Sequence, residues 1–190
     1  MQKTQIIFLR HADTQKNPSI NAALWNLSKG GKKQAEIIFS VDIMKDIDFI
    51  YTSEEQKTIL TAQPIADKLN KKINSLDFFD EVKRGDKFLS KDEFEKEKER
   101  QLKDLNYPAF DGETGTKALM RFKNGVKKVV NENLGKKILI VTHGTILNIY
   151  FASILKKEKN LLERWNKTVF CAYGIIEITE GKEKVLKDII

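Results

Sequence analysis

The chain has 190 residues, of which 41% are hydrophobic and 32% are charged, a balance typical of one globular domain with a buried core. Its 10 glycines, 3 prolines and single cysteine exclude a collagen-like chain, a disulfide framework and a zinc site built from several cysteines. The formal net charge of +7 favours an anionic partner, and the chain contains only two histidines, His11 and His143.

Short strands and amphipathic helices alternate along the chain. The hydrophobic pattern predicts six strands, at 5–9, 49–51, 73–79 (a weaker pattern), 138–141, 172–178 and 185–190. It predicts four helices between them, at 30–44, after Ser53, within 114–134 and at 145–155. This alternation indicates the α/β class, here a three-layer α/β/α sandwich around a mostly parallel sheet. We expect residues 1–190 to form a single domain.

The apolar runs do not suit targeting or membrane insertion. The run at 6–9 is too short for a signal peptide, and polar residues at 142–145 interrupt the run from 138 to 155. We therefore expect a soluble, cytoplasmic protein without membrane contact, and the sequence leaves its oligomeric state open.

The segment 81–104 differs from the rest of the chain in composition. Sixteen of its 24 residues are charged, eight of each sign, which is typical of an exposed helical insertion or lid. We expect this insertion, at about 81–110, to cover the ligand pocket with its aromatic residues, which are Phe88, Phe94, Tyr107 and Phe110.

The two histidines occupy equivalent positions. His11 follows the predicted strand at 5–9 by two residues, and His143 follows the strand at 138–141 by two residues. One histidine at a strand end is usually a satisfied polar residue, but ligands of open α/β sheets bind at this edge of the sheet. We therefore expect the two imidazoles to face each other across one crevice.

Several reaction classes lack their sequence patterns. The chain has no H-E-x-x-H or C-x-x-C metal motif, no G-x-S-x-G nucleophile turn, no Walker pattern and no G-x-G-x-x-G. The chemistry that fits is a histidine that attacks phosphorus, with cationic side chains around the phosphoryl oxygens.

Five segments match one set of motifs in the same order. Residues 9–14 with Asn17 match R-H-G-E-T-x-x-N, residues 27–35 match L-T-x-x-G-x-x-Q-A, residues 51–62 match Y-S-S-P-L-x-R-A-x-x-T-A, and residues 112–114 and 141–144 match G-E-S/T and V-S-H-G. In these motifs the chain resembles the histidine phosphatase superfamily, which includes the cofactor-dependent phosphoglycerate mutases. The resemblance covers about residues 5–155 and implies the phosphoglycerate mutase-like fold.

The resemblance also implies a role for each matching residue. His11 is expected to be the nucleophile that takes the phosphoryl group as a phosphohistidine, and Arg10 to hold two phosphoryl oxygens with its guanidinium fork. His143 and Asn17 are expected to contact the same group. No metal or other cofactor is expected, because these donors already position the phosphoryl group and stabilise its charge.

Four positions, in three places, depart from the family motifs. Ala12 stands where the family has glycine, which is conservative only if its φ angle is negative. Lys57 replaces the second phosphate-binding arginine and keeps the charge without the fork; the alternative is that it is a solvated helix lysine. Residues 54–55 are Glu-Glu in place of Pro-Leu, so this turn is more acidic than usual.

Two carboxylates are candidates for the acid that protonates the leaving oxygen. Glu81 fits the L-x-E-x-x-x-G context of the family's acid, although it is also one more charge in a charged segment. Glu113 is the second candidate, although its G-E-T element is better placed to support the site wall or Arg10. The family branch with an aspartate after the second histidine is disfavoured, because Gly144 follows His143.

The motifs favour a metal-independent phosphatase acting on a small phosphomonoester. Mutases carry E-R-x-Y-G around the acid, whereas residues 81–85 read E-V-K-R-G, so a phosphoglycerate mutase-type phosphotransferase is an alternative. Ala12 and Lys57 keep open a second alternative, a non-catalytic member that binds a phosphorylated ligand. A nucleic-acid binder lacks any recognisable motif. The sequence does not indicate which phosphomonoester is the substrate.

Overall fold

The strands form one sheet that is mostly parallel. In a computed structural model, which describes residues 2–85 and 89–190, the strands are β1 (Lys3–Arg10), β2 (Phe49–Thr52), β3 (Ile73–Ser75), β4 (Lys137–Thr142), β5 (Tyr173–Thr179) and β6 (Lys182–Lys187). They lie in the order β3-β2-β4-β1-β5-β6. The first four strands of this order are parallel, whereas β5 pairs antiparallel with both β1 and β6.

Several helices begin at residues whose side chains satisfy the free N–H groups of the first turn. The helices are α1 (Lys29–Ile37), α2 (Gln56–Leu69), α3 (Lys91–Lys103), α4 (Gly115–Glu132), α5 (Gly144–Leu155) and α6 (Leu161–Lys167). Ser28 and Thr114 cap α1 and α4, and Ser90 forms a capping box at the start of α3. Within the described part of the chain, no helix combines the length and the apolar character that crossing a membrane requires.

Helices cover both faces of the sheet, because successive residues of a buried strand point to opposite sides. Ile6 and Phe8 of β1 pack with α4 and α5 in one core cluster. Ile7 and Leu9 of the same strand pack with α2 and with the turns that follow α1. The predicted three-layer α/β/α sandwich is confirmed.

Three predicted elements have other bounds in the structure, and one helix was not predicted; among them, the strand predicted at 185–190 lies at Lys182–Lys187. The helix predicted at 30–44 ends at Ile37 and is followed by 3-10 turns at 38–40 and 42–44. Ile38 and Met44 both face the core, whereas a continuous helix would place them about 120° apart. The strand predicted at 73–79 ends at Ser75, and the seven-residue α6 is too short to show a helical period in the sequence.

One face of α3 is buried, in contrast to the predicted exposure of the charged segment. Lys98, Gln101 and Leu102 are 2%, 0% and 3% exposed, whereas outer charges pair one turn apart, as Arg100 does with Glu97. Composition does not separate the two faces, because lysine occurs on both. Phe88, one of the aromatic residues expected over the pocket, lies outside the described residues.

Candidate active site

The two histidines meet at the carboxyl edge of the sheet. β1 and β4 are adjacent and parallel, with Arg10 opposite Thr142, and the backbone N–H of His11 donates to the carbonyl oxygen of Thr142 at 2.9 Å. The ring centroids of His11 and His143 lie 5.2 Å apart, with the ring planes at 63°. The two imidazoles therefore adjoin each other, as expected from their matching positions after two strands.

His11 is held in one tautomer. Its Nδ1 lies 2.8 Å from the backbone carbonyl oxygen of Ala12, which only accepts hydrogen bonds, so Nδ1 carries the proton and Nε2 carries the lone pair. Burial lowers the pKa of His11 well below its usual value, and the charges of His143 and Lys57 act in the same direction. At neutral pH the ring is uncharged and its Nε2 is nucleophilic.

His143 immediately precedes α5 and lies beside acidic and hydroxyl groups. Its Nε2 is 2.9 Å from the Ser53 hydroxyl oxygen and 3.4 Å from Oε1 of Glu55. Burial lowers the pKa of His143, while the carboxylates of Glu55 and Glu81 oppose this change. The two carboxylates therefore stabilise the protonated ring and offset part of the effect of burial on its pKa.

The Arg10 guanidinium packs between an aromatic ring and the start of α5. Its Cζ lies 4.3 Å from the centroid of the Phe170 ring, and Nη1 donates to the backbone carbonyl of Thr168. A Cβ at Gly144 would lie 3.0 Å from Nε of Arg10, so glycine allows this close approach. Nε is buried and has no hydrogen-bond partner within the described ranges, which makes it a donor that a bound anion can satisfy.

Lys57 is directed into the site and is only 6% exposed, which argues against a solvated helix lysine. Its Nζ lies 2.5 Å from Oε2 of Glu55 and donates to the carbonyl oxygen of Ala22 at 2.9 Å. The ring of Trp25 lies 5.9 Å from the ammonium. Among the described residues, Glu55 and Ala22 thus engage two of the three N–H groups, which leaves one for a ligand.

Glu81 caps the helix that His143 precedes. Its carboxylate accepts hydrogen bonds from the backbone N–H groups of Thr145 and Ile146, both at 3.0 Å. Burial would raise the pKa of Glu81, but the charge of Lys98 and the bonds to the backbone lower it well below its usual range. In this structure Glu81 is therefore an ionised carboxylate at the N-terminus of α5.

A buried lysine of α3 covers this side of the site. Lys98 Nζ donates to Thr145 Oγ1 at 3.0 Å and to Gln101 Oε1 at 2.8 Å, and it lies over the rings of Phe94 and Phe110. Burial lowers the pKa of Lys98 to about 7, although Glu81 opposes this shift. Aromatic residues of the insertion thus enclose an ammonium group beside the site.

The family model described as Histidine phosphatase superfamily (branch 1) matches residues 6–188. The chain belongs to this superfamily. Phosphoserine phosphatase 1 of Hydrogenobacter thermophilus is 26% identical to it, over 96% of this chain and 90% of that protein.

Solved structures of histidine phosphatases share the fold. A mycobacterial glucosyl-3-phosphoglycerate phosphatase has a TM-score of 0.80 and 17% identity, with 98% of each chain covered. A phosphoserine phosphatase from Entamoeba histolytica, solved with phosphoserine, has a TM-score of 0.80 and 18% identity, over 97% of this chain and 95% of that chain. The family and these phosphatase relatives support the prediction of an enzyme that hydrolyses phosphate monoesters.

The remaining motif residues of this histidine phosphatase lie in different environments. Ala12 is buried with a negative φ angle, so alanine fits where the family has glycine. Asn17 is exposed, and its side-chain oxygen accepts from the backbone N–H of Ser19 at 3.0 Å. Glu113 pairs with Arg121, whose guanidinium also donates to backbone carbonyls of residues 77, 78, 80 and 81. Glu113 thus supports the segment that carries Glu81.

Sequence reasoning missed two residues of the site. Glu55 was visible only as an acidic replacement in a turn, and its position two residues before Lys57 was the available signal. Lys98 lies among many other charges, and no local pattern distinguishes it from the exposed lysines of α3.

Proposed function

We propose that this histidine phosphatase hydrolyses a small phosphomonoester through a phosphohistidine on His11. The observation that carries the proposal is the contact of His11 Nδ1 with the carbonyl oxygen of Ala12, which leaves the lone pair on Nε2, in a ring that adjoins His143 and feels the charges of Lys57 and Arg10. A neutral imidazole with a fixed tautomer is a competent nucleophile toward phosphorus.

In the first step, the lone pair of His11 Nε2 bonds to phosphorus while the bond from phosphorus to the leaving oxygen breaks. Charge then spreads over the phosphoryl oxygens, and Arg10, Lys57 and His143 stabilise it with N–H donors. Asn17, which is exposed, adds an amide donor.

Glu81 moves the protons in both steps. The incoming phosphoryl anion favours the protonated form of the nearby carboxyl, which then donates its proton to the leaving oxygen. In the second step, water attacks phosphorus, the P–N bond breaks, and ionised Glu81 takes the proton of the water. Glu113, held by Arg121, keeps the Glu81 segment in place.

Phosphoserine is the first substrate to test, because two of the relatives are phosphoserine phosphatases. The net charge of +7 is compatible with a small anionic metabolite of the cytoplasm, without any role for nucleic acid.

Hydrolysis of p-nitrophenyl phosphate and of a phosphomonoester panel, measured with EDTA present, tests the proposal. We expect turnover by the wild type, an acid-labile phosphoenzyme on rapid quench, and a loss of about 10³-fold or more in His11→Ala. Full activity of His11→Ala would contradict the phosphohistidine. Phosphate binding without turnover across the panel would instead indicate a non-catalytic member, and transfer between 2,3-bisphosphoglycerate and 3-phosphoglycerate would indicate a mutase.

A further inference from the structure

Glu55 places a carboxylate inside the proposed phosphate-binding set. It stands where the matching motif has leucine, and its side chain is 15% exposed. Glu55 lies directly before α2, yet its side chain makes no capping bond to that helix. The carboxylate instead bridges Lys57 and His143, at 2.5 Å and 3.4 Å.

The contact with Lys57 compensates for the missing arginine. A guanidinium fixes the direction of its donors by its planar shape, whereas an ammonium on a flexible stem does not. Glu55 and the carbonyl of Ala22 hold two of the N–H groups of Lys57, so the direction of the third is determined. Lysine at 57 and glutamate at 55 therefore act as a pair where the motif has arginine and leucine.

The contact with His143 favours the protonated ring. His143 also faces other charged or titratable groups, which are Glu81 and Arg84 after β3, Lys57 of α2 and His11 after β1. Glu81 is the one carboxylate among these other groups and, like Glu55, opposes the effect of burial, but it is already engaged by the N-terminus of α5. Glu55 is thus the carboxylate in ion-pair contact with the Nε2 of His143.

We propose that Glu55 is a positioning residue for phosphoryl transfer, which orients the Lys57 ammonium and keeps the proton on His143 Nε2. Glu55 itself does not touch the reacting atoms and acts through these two phosphate ligands. The inference rests on the proposed function, because both ligands matter only if a phosphoryl group binds between them.

Four variants test this role, and a substitution of the exposed neighbour, Glu54→Gln, is the control. The four are Glu55→Gln, Glu55→Leu, Lys57→Arg and the double variant Glu55→Leu/Lys57→Arg. In Glu55→Gln we expect kcat/KM for p-nitrophenyl phosphate to fall about ten- to a hundredfold, with the basic limb of its pH profile about one unit lower. In the double variant, we expect arginine to restore KM to within about threefold of wild type while the pH limb stays shifted. Glu54→Gln should match wild type.

The titration of His143 can be followed without turnover, because the chain has only two histidines. In the His11→Ala background one imidazole remains, and its proton NMR signals give the pKa of His143 directly. We expect Glu55→Gln to lower this pKa by about one unit. An unchanged pKa together with an unchanged pH profile would overturn the role of Glu55. An inactive wild type with a normal Glu55-dependent titration would contradict the proposed function alone.

Discussion

The floor and the cover of the site are built in different ways. The floor consists of His11, His143 and Arg10, which lie at the ends of two neighbouring strands whose hydrogen-bond register fixes their spacing. The cover is the inner face of α3, where Lys98 and Gln101 are held by side-chain contacts. Strand register fixes which floor residues lie side by side, whereas the cover depends on a buried charge with a depressed pKa. We therefore expect floor substitutions to affect chemistry most, and cover substitutions to affect stability most.

After the loss of the nucleophile in His11→Ala, Arg10→Lys should give the largest effect at the floor. Lysine keeps the charge but cannot stack on Phe170, donate to Thr168 and present two donors to phosphate at the same time. We expect kcat/KM to fall about 10²–10³-fold with little change in the melting temperature. The exposed Arg100→Lys on α3 is the control, and an equal loss in both variants would remove the distinction between floor and cover.

Glu81→Gln separates proton transfer from helix capping. We expect about a 10²-fold loss on phosphoserine, whose leaving oxygen needs a proton, and only a few-fold loss on p-nitrophenyl phosphate, whose leaving group does not. The lost cap of α5 should also cost about 1–2 kcal/mol in the free energy of unfolding. Equal kinetic losses on both substrates would assign Glu81 to the support of α5 and leave another group as the acid.

Gly144→Ala tests how tightly the floor is packed. The added methyl group would lie 3.0 Å from Nε and 3.1 Å from Cζ of Arg10, so the guanidinium must shift by a few tenths of an ångström. We expect about a tenfold loss of kcat/KM, because a small misplacement of a phosphate ligand is costly. Gly30→Ala is the matched control, since within the described part of the chain its methyl group meets only the Ser28 hydroxyl, at 3.7 Å. Full activity of Gly144→Ala would show that the floor tolerates displacement.

Lys98→Met should change activity less than fivefold but alter how stability depends on pH. The folded-state pKa of Lys98 is about 7 against 10.5 for the unfolded chain, so the unfolded state binds more protons between these values. The free energy of unfolding of wild type should therefore rise with pH from about 7 to 10 relative to Lys98→Met. Urea titrations at several pH values measure this slope, with the exposed Lys96→Met as the control. Identical slopes in wild type and Lys98→Met would contradict the buried charge.

The floor was predictable because its determinants are local. A run of apolar residues followed by histidine occurs twice, and the carboxyl ends of parallel strands in one sheet share an edge. The order of the motifs then indicated the family, so the paired histidines and the candidate ligands could be named before any contact was known. The motif match named Lys57 as a candidate ligand, whereas its burial inside the site became visible only in the structure.

The sequence by itself determined the α/β class, the family and the strand ends that carry the two histidines, since periodicity and short motifs depend on neighbouring residues. Only the tertiary structure decided that Glu55 bridges Lys57 and His143, that Glu81 caps α5, and that Lys98 is buried. Each of these contacts joins residues distant in the chain, and the energetic meaning of a charged side chain depends on which groups surround it. The sequence of an acidic turn or of a charged helix does not show whether its side chains face water or a phosphate site.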